Sequence, residues 1–194
     1  NSSNKDGTTN VSCTSTTGAG KTVTTTAIMK VDTTPPTCDS SGGSNSWTNK
    51  SVTLKGTCSD STSKCQSATV EKPYSSNINS TKESPGTVYD NAGNSTICPV
   101  QTVKIDMSEP NCGSVTNAAT IVNNVPTWRK IKQTITQTCS DLGESGCNSI
   151  VGTYDNHTVV TMTLRDGAGN INTCKINAYV DTTPPTCKSS GGSD

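Results

Sequence analysis

Val31-Asp32-Thr33-Thr34-Pro35-Pro36-Thr37-Cys38 returns unchanged as Val180-Asp181-Thr182-Thr183-Pro184-Pro185-Thr186-Cys187. Even the tail Ser40-Ser41-Gly42-Gly43-Ser44 comes back, as Ser189-Ser190-Gly191-Gly192-Ser193. Between them lies a degenerate copy, Ile105-Asp106-Met107-Ser108-Glu109-Pro110-Asn111-Cys112. The three cysteines stand 74 and 75 residues apart. Self-similarity at a fixed period is the mark of a repeat architecture, and other markers keep step outward from this stretch. Trp47 stands eleven residues before Cys58, and Trp128 eleven before Cys139. Thr57-Cys58-Ser59-Asp60 matches Thr138-Cys139-Ser140-Asp141, and Asp90-Asn91-Ala92-Gly93-Asn94 matches Asp166-Gly167-Ala168-Gly169-Asn170. Two full repeats follow, residues 32–105 and 106–180.

Each repeat reads as antiparallel β-structure. Val52 and Leu54 alternate with polar residues in Ser51–Cys58, and Gln133–Cys139 carries Ile135 among threonines in the same place. Both are strand patterns. Gly86–Tyr89 and Val159–Leu164 precede the Ala-Gly-Asn turns, and Val100–Ile105 and Ile176–Val180 follow them. Glycine there supplies the positive φ of a tight hairpin. About seven short strands in roughly 75 residues point to a β-sandwich. No stretch shows a helical period. The Pro-Pro linkers cannot continue a central strand, because proline lacks the N–H, and they favour a stiff, extended connection.

Composition narrows the setting. The chain has 194 residues, ten cysteines, no Phe and 28% hydrophobic residues. So thin a core needs staples, and disulfides persist in oxidising compartments. Zinc ribbons also spend many cysteines but need close Cys-x-x-Cys pairs, which this chain lacks. Lys+Arg and Asp+Glu are each 15, so nothing electrostatic favours nucleic acid or an anionic membrane as partner. No apolar run approaches the roughly 18 residues of a membrane span.

The TTPPTC linker, the WTNKSVT strand and the VYDNAGNSTIC hairpin resemble the bacterial Ig-like repeats of Gram-positive cell-surface and stalk proteins. The resemblance covers nearly the whole chain. It implies an all-β fold of tandem, disulfide-stapled Ig-like sandwiches in a linear array, placed outside the cell at its surface, with neighbouring repeats of the same protein or fibre as partners. Repeat two departs in its linker, Met107-Ser108-Glu109-Pro110-Asn111-Cys112, and in an insertion around Val115–Val125, which leaves the form of its first hairpin open.

The four cysteines of each repeat allow three pairings. First and last strands lie side by side in an Ig-like sandwich, and related repeats tend to carry one cysteine after the linker and one after the Ala-Gly-Asn turn. The resemblance thus favours Cys38–Cys98 and Cys112–Cys174, leaving Cys58–Cys65 and Cys139–Cys147. The runner-up is Cys38–Cys58 with Cys65–Cys98, because the first hairpin also sets residues 38 and 58 opposite each other. Loop closure credits the long bridges with about 4 kcal/mol each and the short ones with about 2.5 kcal/mol.

Cys13 and Cys187 have no partner inside a complete repeat. Gly18-Ala19-Gly20-Lys21 precedes Asp32 by the spacing at which Gly167-Ala168-Gly169-Asn170 precedes Asp181. Residues 1–31 therefore read as the last two strands of a preceding repeat, with Cys13 at the place of Met162 and Thr25 at that of Cys174. Residues 181–194 read as the first strand of a following one, so the chain is expected to be a window on a longer stalk or fibre. A lone two-stranded hairpin is marginal in water. Ordered ends would need completing by a longer polypeptide or by neighbouring molecules.

Candidate sites are few. In the Ig-like arrangement the incoming linker, the second-to-third strand loop and the last hairpin turn meet at one end. That end gathers Asp32, Asp60 and Asp90, with Asn94 near, and in repeat two Asp106, Asp141 and Asp166. Three oxygen ligands at a junction suit calcium; the competing reading is that each aspartate caps its own turn. Catalysis finds little support. His157 sits in a polar turn, Glu71, Glu83, Glu109 and Glu144 are scattered, and Gly18-Ala19-Gly20-Lys21-Thr22 lacks the spacing and βαβ context of a phosphate loop. Asn-x-Ser/Thr sequons occur at Asn1, Asn10, Asn49, Asn79, Asn94 and Asn156, as composition alone would produce. The chain reads as a structural spacer and not an enzyme. The alternative is an adhesin-type module that recognises a host glycan or protein through end loops. It would need exposed aromatic or Arg anchors, whereas the matched positions of Trp47 and Trp128 suggest core residues.

Overall fold

A computed structural model describes residues 5–116, 121–122 and 125–188. Among these the chain is all-β, with sixteen strands and no helix. It divides into two compact units: Asn1–Asn45, Ser51–Ser75 and Ser80–Val103 form the first; Ser46–Lys50, Ser76–Asn79 and Lys104–Asp194 form the second.

The first unit opens on a hairpin of β1 (Gly7–Thr16) and β2 (Thr22–Val31). Its turn is closed by Thr17 N–H to Lys21 O (2.8 Å) and Gly20 N–H to Thr17 O (2.9 Å), with Gly20 at φ +75°. Pairing alternates faces along a strand, so Val11, Cys13, Val23, Ala27 and Met29 share one face, while the other is mostly threonine. Both faces are solvated; Val11 is 47% and Met29 38% exposed. An ordered end open on both faces is also what a wrong repeat register would give. The pairing bears on that register: Thr9 faces Met29, as Thr158, 149 residues on, faces Ala178.

The stapled part of this unit begins with β3 (Thr37–Ser41), β4 (Val52–Ser59) and β5 (Thr69–Tyr74), an antiparallel sheet with β4 central. Strand β4 buries Leu54 and Gly56 and exposes the residues between. Next come β6 (Ile78–Glu83), β7 (Thr87–Tyr89), β8 (Ser95–Ile97) and β9 (Gln101–Ile105); β7 pairs with β8 and β6 with β9. The breaks fall at Ser84-Pro85-Gly86 and Cys98-Pro99-Val100, where proline cannot donate to a ladder. Ser84 Oγ bridges the gap, donating to Cys98 O at 2.7 Å.

In the second unit β10 (Asn111–Thr116), β13 (Gln133–Ser140) and β14 (Ile150–Tyr154) form the matching sheet with β13 central. Strands β15 (Thr158–Arg165) and β16 (Ile171–Ala178) carry no proline and pair without a break from Thr158↔Ala178 to Arg165↔Ile171. Ile135 from the sheet packs with Val160, Met162, Ile176 and Ala178 from the hairpin, joined by Val115, Ile150 and Tyr154. Seven strands thus occur in repeat one, but repeat two builds the same plan from five plus a small hairpin, β11 (Ile121–Val122) with β12 (Val125–Pro126). Of the expected strand Ile176–Val180, residues 176–178 are the far end of the longer β16, and Val180 makes a single parallel bridge with Arg129.

The insertion in repeat two follows a bulge, and parts of it (117–120 and 123–124) lie outside the described residues, as do Asn1 and the repeated tail 189–193. Cys112 faces Cys139 and Val115 faces Gln137, so Gly113 and Ser114 together oppose Thr138. A Cβ on Gly113 would stand 2.5 Å from Thr138 Oγ1, which is why glycine occupies the bulge. Gln137, only 1% exposed, donates to Gly113 O (2.9 Å) and Thr138 O (2.8 Å). Its counterpart in repeat one is Gly56.

Disulfides join Cys38 to Cys98, Cys58 to Cys65, Cys112 to Cys174 and Cys139 to Cys147; Cys13 and Cys187 are free and exposed. The parallel neighbour of each last strand is the residue after the tryptophan, Thr48 beside Ile105 and Arg129 beside Val180. The strands opened by Cys38 and Cys112 are tied to the last hairpin by their disulfides and by side-chain bonds: Thr96 Oγ1 donates to Pro36 O (2.5 Å) and Asn172 Nδ2 to Pro110 O (2.8 Å).

Candidate functional site

Both aspartate trios assemble. In each, one carboxylate oxygen per residue lies within 4.8 Å of the others. Asp32 comes from the linker, Asp60 from the loop stapled by Cys58–Cys65, and Asp90 from the β7–β8 turn. Asp106, Asp141 and Asp166 come from the same three places in the second unit. Single bridges of Cys65 with Asp90 and Cys147 with Asp166 hold the stapled loop to the turn. Lys64 (φ 69°) and Gly146 (φ 73°), immediately before these cysteines, both turn the chain in the left-handed region.

Every carboxylate is also a turn cap. Asp60 Oδ1 accepts from the N–H groups of Thr62, Ser63 and Lys64 at 2.8–3.0 Å. Asp32 Oδ1 accepts from Thr34 N–H and its Oδ2 from Ser63 N–H, both at 3.0 Å. Asp90 Oδ1 accepts from Ala92 and Asn94 N–H. Asn94 Nδ2 donates to Asp90 Oδ2 (2.7 Å) and to the linker carbonyl of Asp32 (3.1 Å). Asn170 repeats this with Asp166 Oδ2 (2.7 Å) and Asp106 O (2.8 Å). A Cβ at Gly143 would fall on the Asp106 carboxylate, so glycine lets the stapled loop close over it.

Asp90 and Asp106 are fully buried and Asp166 nearly so. Burial pushes the Asp90 carboxyl up, but the Asn94 amide and the N–H groups of Asn94, Ala92 and Gly93 outweigh it and hold the group below the ordinary carboxylate range. Each trio therefore packs three acidic groups closely, and an anionic oxygen that accepts an N–H retains lone pairs for a cation. Hard oxygen donors of this kind suit calcium. The caps also give each aspartate a purely local role, so both readings made from sequence persist in one geometry.

The remaining residues singled out from sequence lie apart. Gly18-Ala19-Gly20-Lys21 forms the β1–β2 turn. Glu83 pairs with Lys72 at 2.8 Å and Glu71 faces Lys55 at 3.9 Å. The Lys72 hydrogen bond lowers the Glu83 carboxyl, and the Glu83 bond raises Lys72. Asn10, Asn49, Asn79 and Asn156 are exposed, whereas the Asn94 amide is engaged as described.

Two expectations change. Neither tryptophan is a core residue, Trp47 being half-buried and Trp128 53% exposed, and His157 is more than a loop histidine. The Trp128 ring stands 5.4 Å from His157 and 5.6 Å from Tyr179, and His157 stacks on Tyr179 at 4.8 Å. The available signal was that Thr81 and Lys104 of repeat one become His157 and Tyr179 in repeat two. No family is shown. Comparison with protein-family models, curated proteins and solved structures returns no match to this chain. The four disulfides fit an oxidising, extracellular setting, and among the described residues no helix is long and apolar enough to cross a membrane.

Proposed function

We infer that this chain is a structural array of tandem Ig-like β-sandwich repeats that serves as a stalk, fibre or spacer of a bacterial surface protein. The observation that carries the reading is the recurrence of one fastening scheme in both repeats. Linker, stapled loop and hairpin turn are tied together by equivalent aspartates, an equivalent asparagine and equivalent disulfides. Such a scheme spends its specific chemistry on holding strands and linkers in place. Neighbouring repeats are the partners this implies. Mechanical unfolding of single molecules tests it: a load-bearing array should give discrete force steps, each lengthened by the residues between Cys38 and Cys98 or Cys112 and Cys174 only after reduction. Featureless extension at low force would count against it.

The two trios support calcium as a junction ligand within the same role. Three carboxylates repel one another at this spacing, and a divalent cation would relieve that repulsion. Titration calorimetry with calcium is the direct test.

A further inference from the structure

The Trp128–His157–Tyr179 group is used by nothing above. Arg129 N–H donates to Tyr179 O and Asp181 N–H to Arg129 O, each at 2.9 Å, so the backbone beside Trp128 is latched to the end of the last strand. Tyr179 meets the indole edge-on, at an interplanar angle of 80°. The ring is held from its surroundings while more than half of it faces solvent. Two depressions share it as a wall. One, of about 410 Å3, is lined also by Asp155, Asn156 and Thr182; the other, of about 490 Å3, by Arg129, Lys130 and Gln133. Repeat one has no such group, since its Trp47 is half-buried and meets no ring.

We propose that this surface binds a neutral pyranose sugar, with a second ring accommodated on the far side of Trp128. A fixed, exposed indole presents an apolar plate whose negative face attracts the weakly positive C–H face of a sugar. The Asn156 amide supplies donors and an acceptor, and the Asp155 carboxylate and the Thr182 hydroxyl, which itself donates to Asp155 O at 3.3 Å, supply further acceptors for ring hydroxyls. Asp155 and Asp181 lie on one side, where Lys132 stands 4.0 Å from the Asp155 carboxylate, and Arg129 and Lys130 on the other, so the surface presents no single sign of charge to a ligand. The site stands independently of the spacer role.

Saturation-transfer NMR and tryptophan fluorescence with neutral pyranosides and their disaccharides (gluco, galacto, manno and N-acetylgluco forms) test this on the full chain. Saturable millimolar binding is expected, tighter for a disaccharide. Trp128→Ala should weaken it at least tenfold, Trp47→Phe should not, and thermal unfolding should stay unchanged in Asp155→Asn and Asn156→Ala, which weaken binding several-fold. No saturable binding of any neutral sugar, binding confined to charged sugars, or undiminished binding by Trp128→Ala would overturn the proposal.

Discussion

Cys38 and Cys58 face each other directly across the β3–β4 ladder, yet neither is bonded to the other. Cys38 reaches over to Cys98 and Cys58 closes a short loop to Cys65. Proximity in the first hairpin makes the rejected pairing reasonable. The realised pairing connects the opening strand to the last hairpin and leaves the short loop to position Asp60.

Gly56 makes room for that bridge. A Cβ there would lie 2.6 Å from Cys98 Sγ and 3.0 Å from Cys38 Sγ. Gly56→Ala should cost repeat one about 1–3 kcal/mol through overpacking, read as a lower unfolding midpoint with repeat two unchanged. An unaltered midpoint would show that the sulfurs have slack.

Gln137 has the opposite duty in repeat two. Replacing it with leucine removes its hydrogen bonds to the Gly113 carbonyl, in an exposed bulge, and to the Thr138 carbonyl. The expected cost is about 0.5–1.5 kcal/mol, visible in denaturant unfolding of repeat two and as faster amide exchange in β10. Wild-type stability would mean that water replaces both bonds without cost.

Asp90 predicts an acid limb. Its folded-state carboxyl lies below the ordinary range, so it binds its proton less readily folded than unfolded. The associated stability is fully present above the unfolded value of about 4 and is lost as pH falls through the lower folded value. Unfolding midpoints between neutral and acid pH should show the loss, and Asp90→Asn should flatten it. The same slope in both proteins would place the acid sensitivity elsewhere.

Calcium, if bound at the trios, should raise the melting temperature, and EDTA should reverse the gain. Asp106→Asn should remove one site and leave the other. Calorimetry with no uptake at millimolar calcium would leave the aspartates as turn caps alone.

Much of this was legible because it was written twice. The repeated linker, the matched Thr-Cys-Ser-Asp and the Ala-Gly-Asn turns located the repeats and most of their strands, since recurrence at one period fixes which residues share a place; the pairing of the staples and the gathering of the trios were implied only by the resemblance to Ig-like repeats. Differences between the copies were harder to read. Pro85 and Pro99 break the last hairpin of repeat one, an effect that becomes plain only when one is seen to lie between β6 and β7 and the other between β8 and β9. The bulge at Gly113 depends on the pairing register, which no local pattern encodes. Both tryptophans were read as core from their matching position beside a strand; Trp47 is half-buried and Trp128 exposed, because burial depends on tertiary surroundings that the repeat pattern does not encode.

The central claim is that each repeat is a separately stapled module whose long disulfide pins its opening strand to its last hairpin. Calorimetric unfolding of the chain with Cys38→Ser and Cys98→Ser measures this most directly. The account predicts that repeat one loses about 4 kcal/mol and melts first, while the transition of repeat two stays where it was, as expected for loosely coupled neighbours. Two transitions that shift together, or none that shifts, would contradict it.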